Sequence, residues 1–219
     1  MTTRKRVAVL ISGRGSNMKS LIEAARSEDY PAEIVLVLSN NPDAEGLSFA
    51  RQEGIAVAAV NHRDYKGDRE GFERAVQVVL EEHDVELVAL AGFMRLLTPY
   101  LVGEWKDRMI NIHPALLPSF KGLGTHERAL EEGVKLHGAT VHYVVPEMDD
   151  GPIICQGAVP VLDTDTPDTL AARVLSVEHQ IYPRALALVA SGKARIKAHK
   201  VSTPADDADL GECSLIVPR

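Results

Sequence analysis

Three polar side chains, Asn111, His113 and Asp149, have the chemical types that an acyl transfer requires. The Asn111 amide could donate its NH2 group to an oxyanion, and the His113 imidazole could donate or accept a proton near neutral pH. Asp149 could orient that imidazole. Because the segments 111–114 and 149–152 contain no nucleophilic Ser or Cys, the pattern indicates direct transfer. A structural role stays open, since His-Pro commonly ends a strand and Asn often satisfies the backbone of a turn.

A short buried strand is expected to carry Asn111 and His113. Residues 108–110 lead into Asn111, and residues two apart on a strand share one side. Pro114 would then end the strand and fix the turn. Both side chains should therefore face the same site.

The rest of the chain alternates between strand-like and helix-like patterns. Near-continuous apolar runs predict buried parallel strands, and apolar residues at helical spacing predict the helices between them. The strand-like runs are 7–11, 34–38, 55–60 and 87–91. Helices are predicted at 17–26 and 71–83, and from the Thr-Pro pairs at 98–99 and 166–167. The alternating segments 138–145 and 153–161 predict antiparallel strands at one side of the sheet.

This order predicts the α/β fold class. We expect a Rossmann-like, open, mostly parallel twisted sheet with helices on both faces and antiparallel strands added in the C-terminal part. One domain should cover 1–197, with a phosphate-binding half at about 1–105 and a half at about 106–197 that is catalytic and binds the second substrate. Periodicity fades over 198–219, which predicts a tail or a surface strap.

Composition narrows the functional classes. With 219 residues, 45% of them hydrophobic, the chain can fill one core. Its net charge of -7 disfavours a nucleic-acid surface, and no run approaches the roughly 20 apolar residues of a membrane span. Cys155 and Cys213 form no disulfide framework, so we expect a cytoplasmic protein, with Cys155 packed in the core. His126, His137, His142 and His179 lack a metal-binding spacing, and no catalytic metal is expected.

The loop after the first strand, Gly-Arg-Gly-Ser-Asn at 13–17, could bind a phosphate. Backbone amides at a helix N-terminus favour an anion. Met18 replaces the third glycine of a dinucleotide fingerprint, and the Walker pattern is missing, so a phosphate monoester is the remaining choice. Alternatively, Gly13 and Gly15 only form a tight turn and Ser16 caps the helix.

A second substrate could bind where the fourth strand ends. Phe93, Met94, Leu96 and Leu97 could line a slot for a flat heterocycle with Arg95 near its rim, although such a cluster is more often core. Residues 115–135 would form a lid over a water-sensitive reaction, or an ordinary long connection.

Taken together, these motifs closely resemble the phosphoribosylglycinamide formyltransferase family, the folate-dependent enzymes of purine synthesis. The similarity covers roughly 7–196. It rests on the segments 12–17, 91–95, 111–114 with 116–118, 149–152 and 178–183.

The resemblance implies that 10-formyltetrahydrofolate, as co-substrate, donates its formyl group to the amine of glycinamide ribonucleotide. It implies catalytic roles for Asn111, His113 and Asp149. The residues implied to bind the ribonucleotide are Gly15, Ser16, Asn17 and Glu178. Those implied to lie near the folate are Arg69, Met94, Arg95, Leu96, Leu97, and Val144 and Val145 through their backbone. Whether the protein forms a homodimer stays open.

Two positions depart from the family pattern. Gly124 stands where relatives often have a bulkier or polar residue, which puts lid closure in doubt. Asp150 provides a second carboxylate where relatives commonly have a small residue; the spacing to Gly151 and Pro152 favours Asp149 as the catalytic one.

Three other functions compete with this interpretation. Formyltetrahydrofolate hydrolase would transfer the formyl group to water, and methionyl-tRNA formyltransferase would modify a charged tRNA. By resemblance, the first carries an added N-terminal domain and the second an added C-terminal domain, which this chain is not expected to have. A non-enzymatic binder of a phosphorylated metabolite would gain nothing from an oxyanion donor beside a proton carrier.

Overall fold

The computed structural model describes residues 4–203. Its strands are β1 (Lys5–Ile11), β2 (Ala32–Ser39), β3 (Ala56–Ala59), β4 (Leu87–Leu90), β5 (Met109–His113), β6 (Leu136–Tyr143), β7 (Ile153–Pro160), β8 (Arg195–Lys197) and β9 (Lys200–Ser202). Its helices are α1 (Ser16–Ala25), α2 (Glu45–Gln52), α3 (Arg69–Glu82), α4 (Pro99–Glu104), α5 (Thr125–Glu131) and α6 (Pro167–Ala190), with a 3-10 turn at His62–Tyr65.

Seven strands form one sheet in the order β3-β2-β1-β4-β5-β6-β7. Strands β1 to β5 pair in parallel, whereas β6 and β7 pair antiparallel at one side. The Rossmann-like fold class and the antiparallel C-terminal strands are thus confirmed. The strand order reverses between β1 and β4, and in such sheets ligands collect at the carboxyl edge beside that reversal.

Apolar side chains cover both faces of the central strands β1 and β4, which are buried on both sides. The run at 55–60 predicts a buried strand, but β3 lies at the edge of the sheet and is partly exposed. Along β1, Val7, Val9 and Ile11 face the core formed with α1, α2 and α6. The alternate residues Ala8 and Leu10 face the core formed with α3 and α4. The sheet is thus packed against a hydrophobic core on each face.

The long helix α6 is anchored at its start and near its middle. Thr166 and Thr169 form a reciprocal capping box, and Pro167 occupies the first turn, as the Thr-Pro pattern predicts. Fully buried Tyr182 donates its hydroxyl to the carbonyl of Leu90, 2.8 Å away, at the end of β4. This bond ties α6 to the edge of the sheet where the polar loops lie.

The start of α1 differs from expectation. Gly15, with φ 69°, is the N-cap of α1, and Ser16 is its first residue rather than a side-chain cap. Strands β8 and β9 form a hairpin after α6. The remainder of the predicted tail, from 204 onward, and Cys213 lie outside the described residues.

Cys155 is half-buried and packs against the core, as predicted. Among the described helices, none combines the length and the apolar character needed to cross a bilayer.

Candidate active site

The pairing of β5 with β6 positions the polar side chains that the sequence singles out. Asn111 lies opposite His142, and His113 lies opposite Thr140. Strand alternation puts Asn111 and His113 on the same side of β5, as predicted. The β6–β7 connection then brings Asp149 to them, with its Oδ2 3.5 Å from Nδ1 of His113.

The hydrogen bonds of His113 determine which ring nitrogen faces the carboxylate. Its Nε2 lies 2.9 Å from the carbonyl oxygen of Phe120, and because a carbonyl can only accept, Nε2 carries a hydrogen. Nδ1 is therefore the nitrogen directed at Asp149. His113 is buried, so this side of the ring can exchange a proton with Asp149 away from bulk water.

Asp149 and Asp150 point in different directions. Asp149 adopts φ 53°, and its Oδ2 accepts a hydrogen bond of 2.9 Å from the backbone N–H of Gly122. Its side chain is 11% exposed, whereas that of Asp150 is 55% exposed and pairs with Lys121. Of the two carboxylates, Asp149 is the one that contacts the imidazole.

His142 completes this cluster, and the sequence did not single it out for this site. Its Nε2 lies 3.3 Å from Nδ2 of Asn111 and 3.9 Å from Oδ1 of Asp149. The side chain is buried, and burial lowers the pKa of its imidazole, which favours the neutral ring. The alternating pattern of β6 was the available signal, but only the strand register brings His142 opposite Asn111.

The segment predicted to be a lid has two distinct parts. Its first part is fixed, because Thr140 Oγ1 donates to the carbonyl of Ala115 at 2.7 Å and accepts from the N–H of Leu117 at 3.0 Å. The part from Phe120 to Gly124 contacts His113 and Asp149 through its backbone. Gly124 has φ 65° and is the N-cap of α5, so the residue that departs from the family pattern occupies a left-handed turn.

The loop before α1 borders a cavity of about 540 Å3. Its lining is mixed in charge, and the ammonium group of Lys19 lies 4.8 Å from the centre of the Phe49 ring. The lining residues are Arg14, Ser16, Lys19, Ser20, Glu23, Glu45, Phe49, Leu175 and His179. Sequence reasoning did not identify Lys19 or His179 here, because α1, α2 and α6 meet only in the folded chain.

Asn17 and Glu178 connect this loop to α6. Nδ2 of Asn17 donates to Oε2 of Glu178 at 2.5 Å, and both side chains are buried. Burial raises the pKa of Glu178, while the Asn17 hydrogen bond and the charge of His113 oppose that increase. The four residues predicted to bind a ribonucleotide are therefore neighbours, within electrostatic range of His113.

The residues predicted to lie near a folate divide into two groups. Arg69, Arg95 and Leu96 line a second cavity of about 210 Å3. Met94 and Leu96 are 64% and 60% exposed, which suits a binding surface better than a core. The other group is at least partly structural. Leu97 and Val144 pack against the α3–α4 core, the Val144 N–H already donates to Met109, and Val145 is half-buried.

Phe93 lies in the hydrophobic core rather than on a binding surface. It is buried and its ring stacks on that of Phe72, with centroids 6.4 Å apart. Of the four apolar residues considered for a slot, Phe93 therefore belongs to the core instead. Within 4–203, no group of three or more His, Cys, Asp or Glu side chains is arranged to hold a metal ion.

An open, mostly parallel sheet with a glycine-containing loop before α1 and an amide–imidazole–carboxylate cluster fits a group-transfer enzyme. A family model for formyl transferases matches residues 5–186, and the chain belongs to that family. The resemblance seen in its motifs is thus confirmed.

Two curated relatives show which members of this family the chain is similar to. The phosphoribosylglycinamide formyltransferase of Escherichia coli is 42% identical over 194 residues, which are 89% of this chain and 90% of the relative. The human trifunctional purine biosynthetic protein adenosine-3 is 49% identical over 193 residues, 88% of this chain but 19% of the relative. The chain thus spans between 14% and 19% of the length of the trifunctional relatives.

The chain is also similar to solved structures of a transformylase and of a deformylase. Glycinamide ribonucleotide transformylase 1 from Symbiobacterium toebii superposes with a TM-score of 0.88 at 41% identity, covering 91% of this chain and 94% of that one. A formyltetrahydrofolate deformylase from Pseudomonas syringae reaches a TM-score of 0.84 at 29% identity, covering 92% of this chain and 66% of that one.

Proposed function

We propose that this protein transfers the formyl group of 10-formyltetrahydrofolate to the amine of 5'-phosphoribosylglycinamide in purine biosynthesis. The observation that carries the proposal is the cluster of Asn111, His113 and Asp149, in which His113 is buried and the other two side chains are partly buried. The E. coli relative that this chain matches over nearly its whole length carries the name of that activity.

The substrate amine attacks the formyl carbon directly. A new C–N bond forms and the carbonyl oxygen becomes an oxyanion. Asn111 stabilises that charge through its NH2 group, and His113 does so when its Nε2–H turns from the carbonyl of Phe120 to the oxyanion. Loss of one such donor costs about 3 kcal/mol in typical enzymes. The C–N bond to the folate nitrogen then breaks and the carbonyl re-forms.

One proton must move from the attacking ammonium to the departing folate nitrogen. Asp149 accepts it from the amine and returns it to the leaving group, directly or through water. Nδ1 of His113 lies 3.5 Å from the carboxylate and can share that proton during the transfer. No group on the protein forms a covalent bond to the substrate in this scheme.

The two substrates approach from opposite ends of the cluster. The ribonucleotide phosphate binds the backbone amides of Gly15, Ser16 and Asn17, where the start of α1 favours an anion. Glu178 holds its glycinamide or ribose portion. The folate ring lies against Met94, Leu96, Leu97 and the backbone of Val144 and Val145, with Arg69 and Arg95 toward its acidic end.

The proposal also includes the setting of the reaction. The net charge of -7 supports small-molecule substrates over a nucleic acid, and we propose that the enzyme works in the cytoplasm without a catalytic metal. The division into a phosphate-binding half at 1–105 and a catalytic half at 106–197 remains a proposal as well.

The structural likeness to a deformylase makes transfer to water the second candidate. Incubating the protein with a 10-formylfolate analogue, with and without glycinamide ribonucleotide, separates the two by the absorbance of the deformylated product. Product that requires the ribonucleotide supports the transferase, and product formed equally without it supports the deformylase. No product in either case leaves a non-enzymatic binder.

A further inference from the structure

His142 contacts two members of the proposed catalytic cluster, yet the transfer scheme gives it no role. Its side chain is 3% exposed. Nδ1 lies 2.8 Å from the carbonyl oxygen of Tyr143, and Nε2 lies 3.3 Å from Nδ2 of Asn111. Each ring nitrogen of His142 therefore has one hydrogen-bonding partner.

These two contacts define the tautomer of the ring. The Tyr143 carbonyl can only accept, so Nδ1 of His142 carries the hydrogen. Burial lowers the pKa of His142 with His113 acting in the same direction, whereas Asp149 and the Tyr143 carbonyl oppose that decrease. A neutral ring protonated on Nδ1 presents a lone pair at Nε2, and this lone pair accepts from the NH2 group of Asn111.

The lone pair in turn determines the orientation of the Asn111 amide. If the amide were rotated by half a turn, its oxygen would face the Nε2 lone pair of His142, with an oxygen of Asp149 only 3.9 Å from that Nε2. Acceptors facing one another without a hydrogen between them are unfavourable in a buried site. In the observed orientation, one N–H of Asn111 contacts His142 and the second stays available to an oxyanion.

We propose that His142 is a positioning residue that holds the Asn111 amide with its NH2 group toward the reacting formyl oxygen. The order of contacts runs from the Tyr143 carbonyl through the two nitrogens of His142 to the Asn111 amide. His142 touches no reacting atom in this arrangement and acts through Asn111. This inference rests on the proposed function, because it assigns the Asn111 amide to an oxyanion.

Two substitutions separate the ring nitrogens. In His142→Asn, the side-chain amide can replace Nδ1 as a donor to Tyr143 but does not reach Asn111. In His142→Gln, the longer side chain places an amide oxygen near the position of Nε2, where it can accept from Asn111. We expect His142→Asn to lower kcat roughly 3- to 15-fold, the effect of losing one neutral hydrogen bond, and His142→Gln to restore most of that loss.

A double-mutant comparison tests whether His142 acts through Asn111. Asn111→Ala should lower kcat by about 10- to 1,000-fold. Adding His142→Asn to that variant should change kcat no further, while KM for both substrates stays within about twofold of the Asn111→Ala value. If the two losses multiply instead, or if His142→Asn alone retains full kcat, the positioning role is wrong.

A measurement on the wild-type protein needs neither activity nor a variant. In 15N-labelled histidine spectra at pH 7, we expect His142 to show a protonated Nδ1 and an unprotonated Nε2. A hydrogen on Nε2, in a neutral or a charged ring, would overturn the inference. Failure of the proposed function would look different, since the wild type would then show no ribonucleotide-dependent transfer while the tautomer stayed as described.

Discussion

At the scale of single residues, Asp149 and Asp150 are adjacent and chemically identical but have opposite surroundings. The Asp149 carboxylate is nearly enclosed, accepts from the Gly122 N–H and faces His113. Asp150 is exposed, and its ion pair with Lys121 lowers the pKa of its carboxyl group. A carboxylate that must take up and release a proton during turnover needs the first environment, because a nearby lysine favours the permanently ionised form.

Asp149→Asn should therefore lower kcat by about 100-fold or more, the typical contribution of a general acid–base group. KM for the ribonucleotide should change little, since the proposed phosphate contacts come from the backbone at 15–17 and not from Asp149. The matched variant Asp150→Asn should keep kcat within about threefold, because an exposed ion pair contributes little. Steady-state kinetics of both variants would refute the assignment if Asp150→Asn showed the larger loss.

At the scale of secondary-structure elements, the connection between β6 and β7 determines where Asp149 points. Gly151 allows this connection to approach the end of β6 closely. A Cβ atom at Gly151 would lie 1.7 Å from the carbonyl oxygen of Tyr143 and 3.3 Å from Nδ1 of His142. The backbone would have to move, and Asp149 would move with it.

We expect Gly151→Ala to lower both kcat and the thermal midpoint of unfolding. Gly103→Ala is the matched control, because a Cβ there meets nothing within 4 Å and the residue lies in α4. That control should leave kcat unchanged and could raise the unfolding free energy by up to about 1 kcal/mol through helix propensity. Unchanged kcat in Gly151→Ala would mean that the connection tolerates displacement.

At the scale of the whole molecule, buried histidines link stability to pH. His137 is 1% exposed beside His126 and Phe120, and burial lowers its pKa to about 4, with the charges of His126 and His113 contributing. An unfolded chain takes up this proton near pH 6.5. Between pH 6.5 and 4 the unfolded state thus binds more protons, so the native state loses stability as the pH falls through this window.

Urea unfolding at pH 7, 6 and 5 measures this effect. The free energy of unfolding should decrease toward pH 5, and His137 accounts for at most about 1.4 kcal/mol per pH unit of that decrease. His137→Phe, which cannot take up a proton, should show a shallower dependence. An identical pH dependence in the variant and the wild type would exclude His137 as a source.

The sequence alone was sufficient to predict the structural features that depend on residues close together in the chain. Apolar runs and helical spacing predicted β1 to β4 and the helices α1, α3 and α6, because packing on both faces of a parallel sheet imposes those patterns. They did not predict α5 or the β8–β9 hairpin. The placement of Asn111 and His113 on one side of β5 followed from the two-residue period of a strand. The motifs that resemble those of formyl transferases are also short segments of consecutive residues, so they could be recognised in the sequence alone.

Only the tertiary structure decided which side chains meet across long sequence separations. His142 reaches Asn111 through the register of an antiparallel pair. Lys19 and His179 line the same cavity because α1 packs on α6. Composition could not tell that Phe93 enters the core while Met94 remains exposed. Such contacts depend on the register of paired strands, on how helices cross, and on the direction of the backbone at each residue. The packing of the whole chain sets these features, and no local sequence pattern encodes them.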